Sequence, residues 1–216
     1  AYAYCDEDTL AEYHQDKFTH HRYTRDSNSL VSKLEEIFAH VMGRPTLAFS
    51  SGMSAIWAIL WATAPEVDSY ITIGSFYRKT LKNIEDICSL TGRQHLNYSS
   101  LESLLSTNLK GSPFILLESP SNPFLRLIDV AKVRSSFPKA VLMYDNTMAG
   151  LLNDVEQNTG VDFVVCSCTK YIGGHNDVLG GIVSTCDHEK YLRLWDIRSS
   201  QGGILDPFAA FLIFRS

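Results

Sequence analysis

The chain has 216 residues, of which 45% are hydrophobic and 20% charged, and a formal net charge of −5. That length holds one sizeable domain, or one domain plus an appendage, of ordinary globular composition. The acidic balance excludes the electrostatic footprint of a nucleic-acid or anionic-membrane binder, and no apolar run approaches the roughly 20 residues that span a bilayer. The opening Ala1-Tyr2-Ala3-Tyr4-Cys5-Asp6 lacks a basic region followed by an apolar core, so no secretory signal is expected. Cysteines at 5, 88, 166, 168 and 186 have neither CxxC nor zinc-ligand spacing. They read as free thiols, with no metal site, in a reducing and cytoplasmic compartment.

Residues 1–28 are polar, aromatic-rich and without clear periodicity, and read as an N-terminal arm. Leu30, Leu34, Ile37, Phe38 and Val41 then recur at helical spacing, with cap candidates at Asp26 to Ser29 and a stop at Gly43. A strand is expected at Thr46–Phe49, and Ser50-Ser51-Gly52-Met53-Ser54 opens a helix that runs to Pro65. Alternation continues with a strand at Ser69–Ile73, a helix from Tyr77 to Leu90, and an extended piece at His95–Tyr98. A helix at Ser100–Leu109 precedes a buried strand at Phe114–Glu118, a helix at Asp129–Phe137 and a strand at Ala140–Tyr144. Strands at Asp162–Cys166 and Gly181–Thr185 and a helix at Glu189–Arg198 follow. Strands alternating with helices predict an α/β fold, a mostly parallel sheet flanked by helices on both faces. Trp57 and Trp61, four residues apart on one helix, are expected to pack, and His175 to serve a turn.

In such a sheet, ligands bind beyond the carboxyl ends of the strands, and there the polar residues collect. Ser51 and Gly52 follow one strand, and Glu118-Ser119-Pro120-Ser121-Asn122-Pro123 another. Asp145-Asn146-Thr147 and Ser167-Cys168-Thr169-Lys170 follow two more. A strand–Ser-Gly–helix junction cradles phosphate, because the first N–H groups of a helix have no intrahelical partner. Ser167 and Thr169 share one side if the chain is extended there, and suit an anion beside Lys170. A lysine behind apolar residues can lose its proton and act as an amine nucleophile. Two anion corners, a lysine and a carboxylate match the needs of pyridoxal phosphate: hydroxyls and a helix N-terminus for the phosphate, an amine for the aldehyde, and a carboxylate for the pyridine nitrogen. Asn122 near the ring oxygen and Tyr77 over the ring face complete the set. Taken singly, Asp145 reads as a helix cap, Tyr77 as a core aromatic and Arg25 as a surface charge. A dinucleotide-binding dehydrogenase is disfavoured, since Gly173-Gly174 and Gly180-Gly181 lack the G-x-G-x-x-G spacing.

Five blocks in order carry a resemblance: Tyr23-Thr24-Arg25, Ser51-Gly52-Met53-Ser54-Ala55-Ile56, Glu118 to Pro123, Asp145-Asn146-Thr147 and Ser167 to Val178. Together they resemble the Cys/Met-metabolism pyridoxal-phosphate enzymes, which include cystathionine γ-synthase, cystathionine lyases and methionine γ-lyase. The resemblance implies a fold-type I large domain at 29–204 and a start of the C-terminal domain at 205–216. It implies pyridoxal 5′-phosphate bound covalently at Lys170, which also moves protons. Ser167, Thr169, Gly52 and Met53, with Ser51 beside them, would serve the phosphate. Asp145 would face the ring nitrogen, Asn122 the ring oxygen, and Tyr77 the ring face, where it also assists proton transfer to the leaving group. Tyr23 and Arg25 would reach the phosphate of a neighbouring subunit, which implies a homo-oligomer. The implied chemistry is γ-replacement or β/γ-elimination on small amino-acid substrates, cystathionine γ-synthase-like first and a cystathionine or methionine lyase second. A non-catalytic paralogue is the reading from another class.

The chain departs from that pattern in places. Arg78-Lys79 stand after Tyr77 where the family has small residues, and are expected to narrow the substrate entrance or bind an acidic group. Their presence counts against methionine γ-lyase, which has cysteine there. Asn28-Ser29-Leu30 replaces the usual Asn-Pro-Thr. Gly203 to Phe208 resembles the family's hinge into its C-terminal domain, beyond which its substrate-carboxylate arginine lies. Phe208, Phe211, Leu212 and Phe214 are expected to form an uncovered apolar patch.

Overall fold

The computed structural model describes residues 6–16, 20–151 and 160–216. Parts of the expected arm, 1–5 and 17–19, lie outside the described residues. The elements are α1 (Glu7–Gln15), α2 (Ser29–Met42), β1 (Thr46–Phe49), α3 (Gly52–Thr63), β2 (Ser69–Ile73), α4 (Arg78–Thr91), β3 (Gln94–Tyr98) and α5 (Leu101–Leu105). They continue with β4 (Pro113–Glu118), α6 (Val130–Ser136), β5 (Val141–Asp145), β6 (Phe163–Ser167), β7 (Gly181–Ser184), α7 (His188–Gln201) and α8 (Pro207–Phe214).

The seven strands form one sheet in the order β1-β7-β6-β5-β4-β2-β3. β7 runs antiparallel to both β1 and β6, and the remaining pairings are parallel. The expected mostly parallel sheet is therefore present, with one reversed strand. Its reversal has a local cause: no crossover helix separates β6 from β7. A turn at Cys168–Ile172 sends the chain straight back from the edge it reached.

Side-chain alternation along the strands divides the core in two. Ala48, Ile115, Leu117, Leu142, Tyr144, Val164, Cys166 and Ile182 join one cluster with Val31, Leu34 and Phe38 of α2, Val133 of α6 and Ala210 and Ile213 of α8. Leu47, Phe49, Phe114, Leu116, Met143, Phe163, Val165 and Val183 join the other, with α3, Ile84 and Ile87 of α4, and Leu194 and Trp195 of α7. Both faces are covered, which explains why the central strands read as unbroken apolar runs.

Helix ends follow from local chemistry. Asn28 caps α2 by accepting from Val31 N at 3.0 Å, and Gly43, at φ 62°, ends it. α5 stops at Leu105, short of the expected Leu109. The Ser106 and Thr107 hydroxyls both donate to Ser103 O, offering the backbone an alternative to another helical turn. α1 was not legible as a helix because it buries no residue and so has no apolar stripe; Asp6 caps it through Thr9 N at 2.7 Å. Trp57 packs against the second core cluster, while Trp61 stacks on it at 6.2 Å and stays 46% exposed. On α8, Phe208 and Phe211 stack at 6.2 Å and are 67% and 55% exposed, whereas Leu212 and Phe214 are partly buried against the first core cluster, so only half of the expected patch is uncovered.

Gly181 is where the sheet meets α3 most closely. A Cβ there would lie 2.5 Å from Gly52 N and 2.6 Å from Ser51 C, both backbone atoms that cannot swing away. Gly181→Ala is expected to cost about 1–3 kcal/mol by overpacking, measured by urea denaturation. Gly92→Ala, where the added carbon meets nothing within 4 Å but φ is +71°, separates backbone strain from crowding in the same assay.

Candidate active site

Register brings the polar strand ends together. Glu118 pairs with Asp145 across β4 and β5, Asp145 with Val165 across β5 and β6, and Ser167 with Gly181 across β6 and β7. By alternation Glu118, Asp145 and Ser167 share the face of Leu116, Met143 and Val165, the face that α3 covers. A cavity of about 640 Å³ opens at this edge, lined by Ser51, Gly52, Met53, Tyr77, Asn122, Asp145, Ser167, Thr169 and Lys170. Every expected site residue except Tyr23 and Arg25 is thus in one place. Glu118, Thr147, Met148, Tyr171, Asn176 and Leu179 also line it.

The α3 end of the cavity is built by Ser51, whose hydroxyl caps the helix by accepting from Ser54 N at 3.0 Å. Ser51 O accepts from Ala55 N, so Gly52 and Met53 carry the N–H groups with no partner inside the helix. The Ser51 hydroxyl thus caps the helix, and Ser51 lines the cavity beside those N–H groups. Gly52 faces Ser167: a Cβ at 52 would come 3.1 Å from Ser167 Cβ, so the absence of a side chain keeps this corner open.

Asp145, at the end of β5, is 8% exposed, and burial pushes its carboxyl up from the usual 3.8. Hydrogen bonds from Thr147 oppose that shift, including Thr147 N to Oδ1 at 3.0 Å. The Thr147 hydroxyl in turn accepts from Ser167 N at 2.9 Å, joining the ends of β5 and β6. Thr147 sits two residues after Asp145 in a block noted from sequence, but only the fold reveals that it couples the two strands.

The hydroxyls of Ser167 and Thr169 do not share a side by strand alternation, as expected, because the extended chain ends at Ser167. Both nonetheless line the cavity, brought there by the turn at Cys168–Ile172. Thr169 Oγ1 accepts from Gly180 N at 3.1 Å and donates to Gly180 O at 3.4 Å, which pins the turn to the strand that returns. Lys170 leaves the helical region at φ −93° and ψ −117°. It is exposed to the cavity rather than held behind apolar residues, because the apolar run stops at Cys168. Among the described residues its amine makes no hydrogen bond or ion pair. His175 serves the following turn, with Nδ1 2.6 Å from Gly173 O.

Tyr77 immediately precedes α4 and is 47% exposed. Arg78 and Lys79 are exposed on the first turn of α4 and are not among the residues that line the cavity. Tyr23 and Arg25 are also exposed and lie off the cavity, with the Arg25 guanidinium 5.0 Å from the Tyr23 ring centre.

This donor set fits a phosphorylated carbonyl cofactor. The first N–H groups of α3, the hydroxyls of Ser167 and Thr169, an amine that bonds to no described residue and a buried carboxyl group all line one cavity. Among the described residues no cluster of His, Cys, Asp or Glu could hold a metal ion, and no helix is long and apolar enough to cross a membrane.

Fold and site together define an α/β domain with a polar cavity, lined by a lysine and a buried carboxyl group, at the carboxyl edge of a mostly parallel sheet. The family model for Cys/Met metabolism PLP-dependent enzymes matches residues 1–216, and the chain belongs to that family. It is 31% identical over 201 residues to a cystathionine beta-lyase of Lactococcus lactis subsp. cremoris, covering 90% of this chain and 52% of that one. It is 33% identical over 223 residues to the chloroplastic cystathionine gamma-synthase 1 of Nicotiana tabacum, covering all of this chain and 41% of that one. The solved cystathionine gamma synthase of Xanthomonas oryzae pv. oryzae, in complex with aminoacrylate and cysteine, superposes with a TM-score of 0.82 at 31% identity. That alignment covers 93% of this chain and 54% of that one, and the chain spans about half the length of the curated relatives it matches.

Proposed function

We propose that this chain is the pyridoxal-phosphate-binding large domain of an enzyme that replaces or eliminates groups at the β or γ carbon of sulfur amino acids or activated homoserine. The observation that carries the reading is the single cavity holding Lys170, Asp145 and the open N-terminus of α3. When bound, pyridoxal phosphate supplies an aldehyde that bonds to amines and a ring that draws electrons from the substrate's Cα. In this reading the N–H groups of Gly52 and Met53 and the hydroxyls of Ser167 and Thr169 bind the phosphate. Asp145 holds a proton on the ring nitrogen, and Asn122 and Tyr77 orient the ring. Lys170 Nζ takes the Cα proton and carries it to neighbouring positions. Tyr23 and Arg25, exposed and off their own cavity, reach the phosphate of a second copy. Residues 205–216 begin a further domain that supplies the substrate-carboxylate site.

Cystathionine γ-synthase-like replacement is the preferred chemistry, supported by the similarity to synthases; the similarity to lyases supports the alternative. Full-length protein is assayed with O-acylhomoserine plus cysteine, with cystathionine and with methionine. Cystathionine formation as the fastest reaction supports the replacement reading; faster release of thiol and keto acid from cystathionine or methionine assigns the lyase instead. No turnover by a protein that binds the cofactor assigns a non-catalytic paralogue.

A further inference from the structure

We propose that Glu118 is a positioning residue of this site: its carboxylate bridges the backbones of Tyr77 and Asn122 and so fixes the two side chains that flank the cofactor ring. The inference rests on the function proposed above for what those side chains flank, while the bridge itself is a feature of the chain alone. Glu118 is the last residue of β4 and only 4% exposed. Oε2 accepts from Tyr77 N at 2.8 Å and Oε1 from Asn122 N at 2.7 Å. Both oxygens therefore serve backbone groups from segments far apart in sequence, and both segments line the cavity.

Packing alone does not call for a carboxylate here. Among the described residues no cation pairs with Glu118, and it lies beside a second buried carboxylate, Asp145, its register partner. Burying a charge in that setting is costly unless hydrogen bonds repay it. What a carboxylate offers, and a glutamine does not, is two acceptors at one end, matched to two N–H donors. A second argument comes from α4. Its N-cap Tyr77 makes no side-chain cap, and its first turn has no acidic residue but carries Arg78 and Lys79, the wrong sign for a helix N-terminus. Glu118 supplies the missing anion from β4. It thereby holds the start of α4, and Tyr77 with it, against the strand end that carries the site.

Glu118→Gln tests the idea, since it keeps shape and one acceptor but turns an amide N–H₂ toward one of the donors. Holoprotein is stripped and titrated with pyridoxal phosphate, following the visible absorption band. Affinity is expected to fall about tenfold in the native background, the scale of one lost hydrogen bond to a charged group. In a Tyr77→Ala/Asn122→Ala background the same change is expected to have less than a twofold effect, because nothing is left to position. An equal loss in both backgrounds, or no loss in the native one, overturns the proposal. Amide exchange by NMR on the native apoprotein needs no variant. Tyr77 and Asn122 N–H are expected to be protected, and exchange as fast as exposed loop amides overturns the bridge. If E118Q does not fold, the exchange result decides alone. A native chain that binds no cofactor would refute the function proposed above, while the bridge is still decided by exchange.

Discussion

Lys170→Ala is expected to abolish the borohydride-sensitive visible band of the cofactor-loaded protein and to lower turnover by a factor on the order of 10²–10⁴, the range typical of removing a positioned proton-transfer group. Stability is expected to stay within about 0.5 kcal/mol of the parent, because Lys170 is exposed and its amine bonds to no described residue. The contrast between the two outcomes is the test. A lysine retained for structure would cost stability when removed; one retained for chemistry costs only the band and the rate. Lys170→Arg keeps the charge beside the phosphate corner but not a nucleophilic amine, and is expected to lose the band as completely. A band that survives both substitutions would move the covalent anchor elsewhere.

Much of this was legible in the sequence because the strands that matter are buried on both faces. Phe114–Glu118, Val141–Tyr144 and Phe163–Cys166 read as short apolar runs, and each ends in a polar residue that has to leave the core. A parallel sheet aligns those ends, so sequence alone groups Asp145, Ser167 and Lys170. The reversal of β7 was not legible, since Gly181–Ser184 has the same apolar character whichever way it runs. Direction depends on the absence of a crossover helix, which is a property of the connection. α1 escaped notice for a related reason: with no buried face it leaves no periodic trace.

Within the site, the limits are set by hydrogen bonds that link distant segments. Glu118 was visible as a strand end, but its partners are backbone N–H groups, and every non-proline residue has one. Thr147 was visible beside Asp145, yet its hold on Ser167 N depends on β5 and β6 being neighbours. The expectation that Ser167 and Thr169 share a side assumed an extended chain. It failed because the strand stops at Ser167, although the turn delivers both hydroxyls to the cavity by another route.

Asp145→Asn is expected to separate function from stability in opposite directions. Burial raises the Asp145 carboxyl above 3.8 in the folded apoprotein, so the native state binds that proton more tightly than the unfolded chain does. The sign follows from linkage. Below about 3.8 the group is protonated in both states and has no net effect; as pH rises through that value toward the folded one, the unfolded chain ionises first and folding loses stability. Above about 3.8 the native apoprotein therefore bears a cost for keeping this group buried, and that cost grows as pH rises toward the folded value. Asparagine removes the charge while its side-chain oxygen still accepts from Thr147 N, the bond that Oδ1 accepts at 3.0 Å. Apoprotein stability in urea at pH 7 is expected to rise, with the gain shrinking as pH falls toward 4. Turnover is expected to fall on the order of 10²-fold or more, since asparagine cannot hold a proton on the ring nitrogen of the cofactor. A variant less stable than its parent at pH 7 would mean that Asp145 is a structural cap after all, and the charge would have to be explained by the fold rather than by the ligand.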